Sequence, residues 1–77
     1  MMKQFIIDQI NEITFTTVGP TDSLWQDKIL DSITIVELVV ELENEYNIKI
    51  PFNEIIVENF ETVNQIELYL KQKINNH

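Results

Sequence analysis

Apolar residues recur along this chain at helical spacing, and no stretch alternates convincingly at the period of a half-buried strand. Met2, Ile6, Ile10 and Ile13 share one face of residues 2–13, with Lys3, Asp8, Gln9 and Glu12 elsewhere on the wheel. That pattern predicts a first amphipathic helix. Thr16 to Ser23 holds the only glycine, one of two prolines and several Thr, Ser and Asp residues, the composition of a loop. The irregular stretch runs on through Leu24, Trp25 and Ile29 to Leu30, whose side chains are expected to pin a long connection onto the core. A second helix is expected from Asp31, because Asp or Ser ahead of an apolar-periodic run accepts from unpaired backbone N–H groups. Ile35, Leu38, Val39, Leu42 and Tyr46 form its buried stripe, Asn47 is the expected stop, and Pro51 makes the break firm. Residues 52–58 have room for one short helical turn. A last helix is predicted from Thr62, where Thr62-Val63-Asn64-Gln65 fits a capping box. Val63, Ile66, Leu70 and Ile74 line its apolar side, and Lys71 and Lys73 stand in its last turn, where positive charge suits the helix dipole. The fold class expected is all-α: three main helices plus a short helical turn, with a long loop between the first two.

Length and charge narrow the function. The 77 residues make a single domain, 1–77, burying roughly 60–65% of its unfolded surface in one small core. Thirteen acids face five lysines and no arginine, a net charge of −8. Nucleic acid and anionic lipid would be repelled, so partners with basic patches are expected, and neither nucleic-acid binding nor membrane insertion is. High charge can signal disorder, but 44% hydrophobic residues with regular periodicity argue for a folded chain. Absence of cysteine excludes disulfides and thiolate zinc sites and suits a reducing, cytoplasmic setting. The longest apolar runs fall well short of a membrane span, and the N-terminus lacks a signal peptide's apolar stretch.

Candidate chemistry concentrates at Asp31-Ser32-Ile33. Ser32 stands at a predicted helix N-terminus beside an acid, and the sole histidine, His77, is the last residue, on an expected frayed tail. A serine nucleophile needs an adjacent general base, and nothing near Ser32 supplies one. Ser32 is therefore either a plain helix cap or a hydroxyl that another enzyme modifies. Asp22, Asp27 and Asp31 do not match a calcium loop, which needs a turn glycine and a closing glutamate. Trp25, Tyr46 and Phe60 are expected in the core or anchoring loops rather than stacking on a ligand.

Asp31-Ser32-Ile33, followed by Val36-Glu37-Leu38-Val39 and Glu41-Leu42-Glu43-Asn44-Glu45-Tyr46, resembles the Asp-Ser-Leu motif and recognition helix of acyl carrier proteins. The likeness takes in Ser23-Leu24-Trp25-Gln26-Asp27, Ile48-Lys49-Ile50-Pro51 and Glu58 to Ile66, and so spans residues 21–70. It implies that Ser32 accepts 4′-phosphopantetheine from coenzyme A, and that the arm's thiol then holds acyl or aminoacyl groups as thioesters. Asp31 matches the motif acid, which in relatives assists docking of the transferase and its metal ion. A phosphodiester at this helix start would sit against free N–H groups and the positive dipole end. The implied partners are a phosphopantetheinyl transferase, a loading ligase and downstream acyl-processing enzymes, with the carrier itself a monomer and not an enzyme. The chain departs from the pattern in two ways: many relatives carry a glycine three or four residues before the serine, where Ile29 and Lys28 stand here, and Thr34 takes a position that is often acidic in fatty-acid carriers. The stretch from Pro51 to Thr62, with Phe60 ahead of the last helix, is closer to stand-alone carriers of specialised pathways, the leading expectation, and next to D-alanyl carriers of teichoic acid modification.

Docking is expected on the second helix, where five acids and no base lie between Asp31 and Tyr46. Burying the apolar stripe leaves Ile33, Val36 and Val40 exposed among Glu37, Glu41, Glu43 and Glu45, a greasy strip rimmed by acids. Its charge steers encounter and makes binding salt-sensitive. An acidic interaction domain without prosthetic group shares every one of these features except the use of Ser32.

Overall fold

A computed structural model describes residues 2–75, and every regular element in that range is helical. Helix α1 spans Met2–Thr14, α2 Thr34–Tyr46, α3 Val57–Phe60 and α4 Val63–Asn75, with a single 3₁₀ turn at Phe52–Glu54. The all-α reading therefore holds, with one refinement. The single turn expected in 52–58 is two short ones, because Ile55 and Ile56 break out of helical dihedrals between them. His77 lies outside the described residues.

Helix α1 packs against α2 and α4, and α3 packs against α4. At one end Phe5 meets Tyr46 edge-to-face, with ring centroids 5.8 Å apart. Toward the other, Ile13 and Val36 line one groove, so α1 and α2 run antiparallel. Ile6 and Ile10 from α1, Leu38 and Leu42 from α2, and Ile66 and Leu70 from α4 are fully buried between them. Tyr69 joins this core as well; the 3.6-residue stripe drawn through Val63, Ile66 and Leu70 passes beside it.

The long connection from 15 to 33 is held as its apolar residues predict. Val18, Leu24 and Leu30 are buried, and Leu24 does most of the fastening. Its N–H donates to the Glu61 carbonyl at 2.8 Å, and its carbonyl accepts from Ile29 and Leu30, both at 2.9 Å. The Trp25 indole donates to the Phe60 carbonyl at 3.0 Å, and Asn64 N–H to the Pro20 carbonyl at 3.1 Å. These bonds lash the loop to the α3–α4 junction and so set the chain's approach to residue 31.

Among the described residues, three that are not glycine take positive φ: Phe15 at 60°, Lys28 at 58° and Asn47 at 54°. Asn47 ends α2 as expected, its N–H bonded to the Glu43 carbonyl in a left-handed cap. Phe15 does the same for α1, donating to the Asn11 carbonyl at 2.7 Å while its ring stays 89% exposed. At α4, the Thr62 hydroxyl accepts from Gln65 N–H at 3.1 Å, the forward half of the predicted capping box.

Candidate functional site

The site begins at the turn preceding α2. Regular helix starts at Thr34, three residues after the expected start, yet the cap is the expected Asp31. Its Oδ1 accepts from Ile33 N–H and Thr34 N–H, both at 2.9 Å, and its carbonyl accepts from Ile35 N–H at 3.0 Å. Ser32 and Ile33 thus form a first turn ahead of the regular helix, with Ile33 at φ −94° and ψ −48°. Thr34 completes the arrangement. Its Oγ1 accepts from Asp31 N–H at 2.8 Å and donates to Asp31 Oδ1 at 3.0 Å. This is a capping box with threonine in the place usually held by Glu or Gln. The substitution hid it from sequence reasoning, although Asp31-x-x-Thr34 has the right spacing. The two backbone N–H bonds, then the Thr34 hydroxyl, hold the Asp31 carboxyl below its ordinary pKa.

Ser32 is exposed, and among the described residues its hydroxyl has no hydrogen-bond partner. Among the described residues, no acid or base bonds to it. The expectation that an anion here meets free N–H groups needs correction. Asp31 already occupies the N–H groups of Ile33 and Thr34, so the dipole end of α2 remains as the attraction. An exposed, unbonded hydroxyl on a well-capped turn fits a covalently attached group, since neither fold nor hydrogen bonding is disturbed by its esterification.

Lys28, one of the two residues at which the resemblance led to an expected glycine, takes the left-handed conformation that glycine adopts readily. The turn before Ser32 therefore keeps a glycine-like shape with a different residue. No sequence signal announces this, because lysine has no preference for that region.

The face of α2 beyond the turn presents Ile33, Val36 and Val40, which are 70%, 51% and 47% exposed. Val36, Glu37, Val40 and Glu41 share a groove with Gln9, Glu12 and Ile13 of α1, residues not foreseen as part of this surface. Apolar floor and acidic rim alternate along it, and no lysine lines it. Glu43 is placed differently. Its Oε2 accepts from Ile50 N–H at 2.8 Å, which ties the chain after α2 back onto the helix.

Two further acids have local duties. Asp22 Oδ2 accepts from Gly19 N–H at 2.7 Å. Glu54 Oε1 accepts from the Tyr69 phenol at 2.5 Å and lies 3.1 Å from Lys73 Nζ. Those two donors, the phenol first, hold the Glu54 carboxyl below its usual range, while burial and the neighbouring carboxylate push the phenol up.

Residues 9–70 match the protein family described as phosphopantetheine attachment site. Curated relatives extend the likeness over nearly the whole chain. The D-alanyl carrier protein of Streptococcus uberis is 36% identical over 76 residues, 96% of this chain and 96% of the relative. That of Lactococcus lactis subsp. cremoris is 35% identical over 75 residues, covering 94% and 95%. That of Streptococcus suis is 36% identical over 67 residues, covering 84% and 85%.

Proposed function

The chain belongs to the phosphopantetheine-attachment family of carrier proteins, and from that premise we propose that Ser32 is the attachment residue and D-alanine the cargo. The observation that carries the first half is the geometry of Ser32: exposed, unbonded and held on a capped turn. In the modification, a bond forms between Ser32 Oγ and the phosphorus nearest the pantetheine of coenzyme A. The pyrophosphate P–O bond breaks, the adenosine bisphosphate leaves with the electron pair, and the serine proton passes to a base of the transferase. Once attached, the arm supplies a thiol that holds an acyl group as a thioester. The protein's own residues present the serine, keep the turn rigid and dock the partner enzymes; catalysis belongs to those enzymes.

D-alanine comes first among cargoes because the curated relatives covering nearly all of this chain are D-alanyl carrier proteins. The acyl groups of other specialised biosynthetic pathways come second. The docking surface is the acid-rimmed groove of α1 and α2, with Ile33 exposed one turn ahead of Val36 and Glu43 set apart by its bond to Ile50. Partners meeting it are a phosphopantetheinyl transferase, a loading ligase and an acyl-accepting enzyme, each with a basic patch. No described helix is long and apolar enough to cross a membrane; that the carrier is a monomer working in the cytoplasm is part of the same proposal.

Cargo is tested by incubating the phosphopantetheinylated protein with ATP, a D-alanyl carrier ligase and either D-alanine or L-alanine, then weighing the intact protein. The reading expects one alanyl increment with D-alanine, removed by hydroxylamine as a thioester would be. Loading by a fatty-acyl ligase, with none from D-alanine, would assign the carrier to another pathway.

A further inference from the structure

Ser32 is exposed and its hydroxyl makes no hydrogen bond among the described residues, so its place is set by the backbone on either side. Asp31 precedes it and Thr34 lies two residues beyond, and the pair is joined three ways. Thr34 N–H and Thr34 Oγ1 both donate to Asp31 Oδ1, at 2.9 and 3.0 Å, and Asp31 N–H donates to Thr34 Oγ1 at 2.8 Å. Two of these three bonds belong to the Thr34 hydroxyl. They close rings across the Ser32 and Ile33 peptides, so the serine sits inside a bracket whose far post is Thr34.

The bracket fixes two things at once. Oδ1 of Asp31 takes three donors, the third being Ile33 N–H at 2.9 Å, which pins the carboxylate and leaves Oδ2 without a donor among the described residues. The Asp31 N–H, which would otherwise be an unpaired group at the end of the long loop, is tied to the helix instead. Threonine suits this position because two substituents on Cβ restrict χ1, so its hydroxyl is held in few orientations. Without that hydroxyl, Asp31 keeps its two backbone donors and still caps α2, but the loop side of Ser32 is released.

We propose that Thr34 is a positioning residue for the modification of Ser32, its hydroxyl bracing the Asp31 carboxylate and the turn that presents the serine to the transferase. It touches Asp31 and not the reacting atoms. The inference rests on Ser32 being the attachment residue. It predicts an effect on the rate of transfer rather than on binding of the carrier, since Thr34 is half-buried and contributes little surface.

The experiment is steady-state transfer from coenzyme A by a broad-specificity phosphopantetheinyl transferase, with the whole chain as varied substrate. Wild type, Thr34→Val, Thr34→Ser and Ser32→Ala are compared, each first shown to be helical with a cooperative thermal transition. Thr34→Val keeps the branched shape and removes the hydroxyl; it is expected to lower kcat about tenfold and to change KM less than threefold, the signature of lost positioning. Thr34→Ser restores the hydroxyl and is expected within about threefold of wild type. A folded Thr34→Val with unaltered kcat overturns the proposal, as does a folded Thr34→Ser no better than the valine variant. If Ser32→Ala still accepts one phosphopantetheinyl group, the attachment reading itself fails, and the role of Thr34 fails with it.

Discussion

Lys28 holds φ at 58° four residues before the candidate serine, with no glycine to ease it. Left-handed backbone costs an L-residue about 1–2 kcal/mol, and glycine gives back part of that gain through its larger unfolded entropy. Lys28→Gly is therefore expected to stabilise the fold by roughly 0.5 kcal/mol, and Lys28→Val to destabilise it by about 1 kcal/mol or more. Urea titration of the three proteins checks both signs. Asp31 makes a different prediction, in pH. Its hydrogen bonds depress its pKa in the folded state, so the stability they confer is complete above the ordinary carboxylate range and is lost as pH falls through it, below about pH 4. Asp31→Asn keeps a capping oxygen but does not titrate. The gap in thermal midpoint between wild type and Asp31→Asn should shrink between pH 7 and pH 3; a gap that grows on acidification would contradict the cap.

Among the elements, the 3₁₀ turn and α3 are the least self-sufficient. Each is too short to be stable alone, and contacts with α4 hold them in place. Glu54 ties the 3₁₀ turn to Tyr69 and Lys73, and Phe60 packs on Tyr69 with ring centroids 5.5 Å apart. Tyr69→Phe keeps the ring and removes the phenol bond. It is expected to speed amide exchange at Glu54 and Ile55 while the thermal midpoint moves by only a few degrees; unchanged exchange there would show the bond to be incidental. Helix α2 carries a second prediction at this scale. Glu37→Lys and Glu41→Lys reverse charge on the groove without touching the core, so each is expected to lower kcat/KM for transfer mainly through KM. The wild-type dependence on salt should flatten in the double variant.

The helices were legible because each buries one face, and burial writes a 3.6-residue period. Asp31, Asn47 and Thr62 marked their caps because side-chain and left-handed caps use few residue types. Less legible were features made by tertiary proximity. The α1 half of the groove depends on how α1 crosses α2, and Tyr69 is buried because α3 folds over it. The Lys28 and Phe15 conformations are imposed against preference and leave no mark in composition. Ser32 stood out by pattern, but its freedom from hydrogen bonds and the Thr34 bracket required coordinates.

At the scale of the whole molecule, a 77-residue chain with one small helical core has little stability to spare, and the largest fully buried side chain is Phe60. Phe60→Ala is expected to cost about 3–5 kcal/mol and to leave the protein largely unfolded, whereas Ser32→Ala is expected to cost about 1 kcal/mol or less. That contrast separates the residue that carries the group from those that carry the fold. It also permits the most direct test of the carrier reading: intact mass before and after incubation with coenzyme A and a phosphopantetheinyl transferase, for the wild type and for a folded Ser32→Ala. A single phosphopantetheinyl increment is predicted on the wild type and none on the variant. An increment that survives in Ser32→Ala, or a folded wild type that takes none from several transferases, would contradict it.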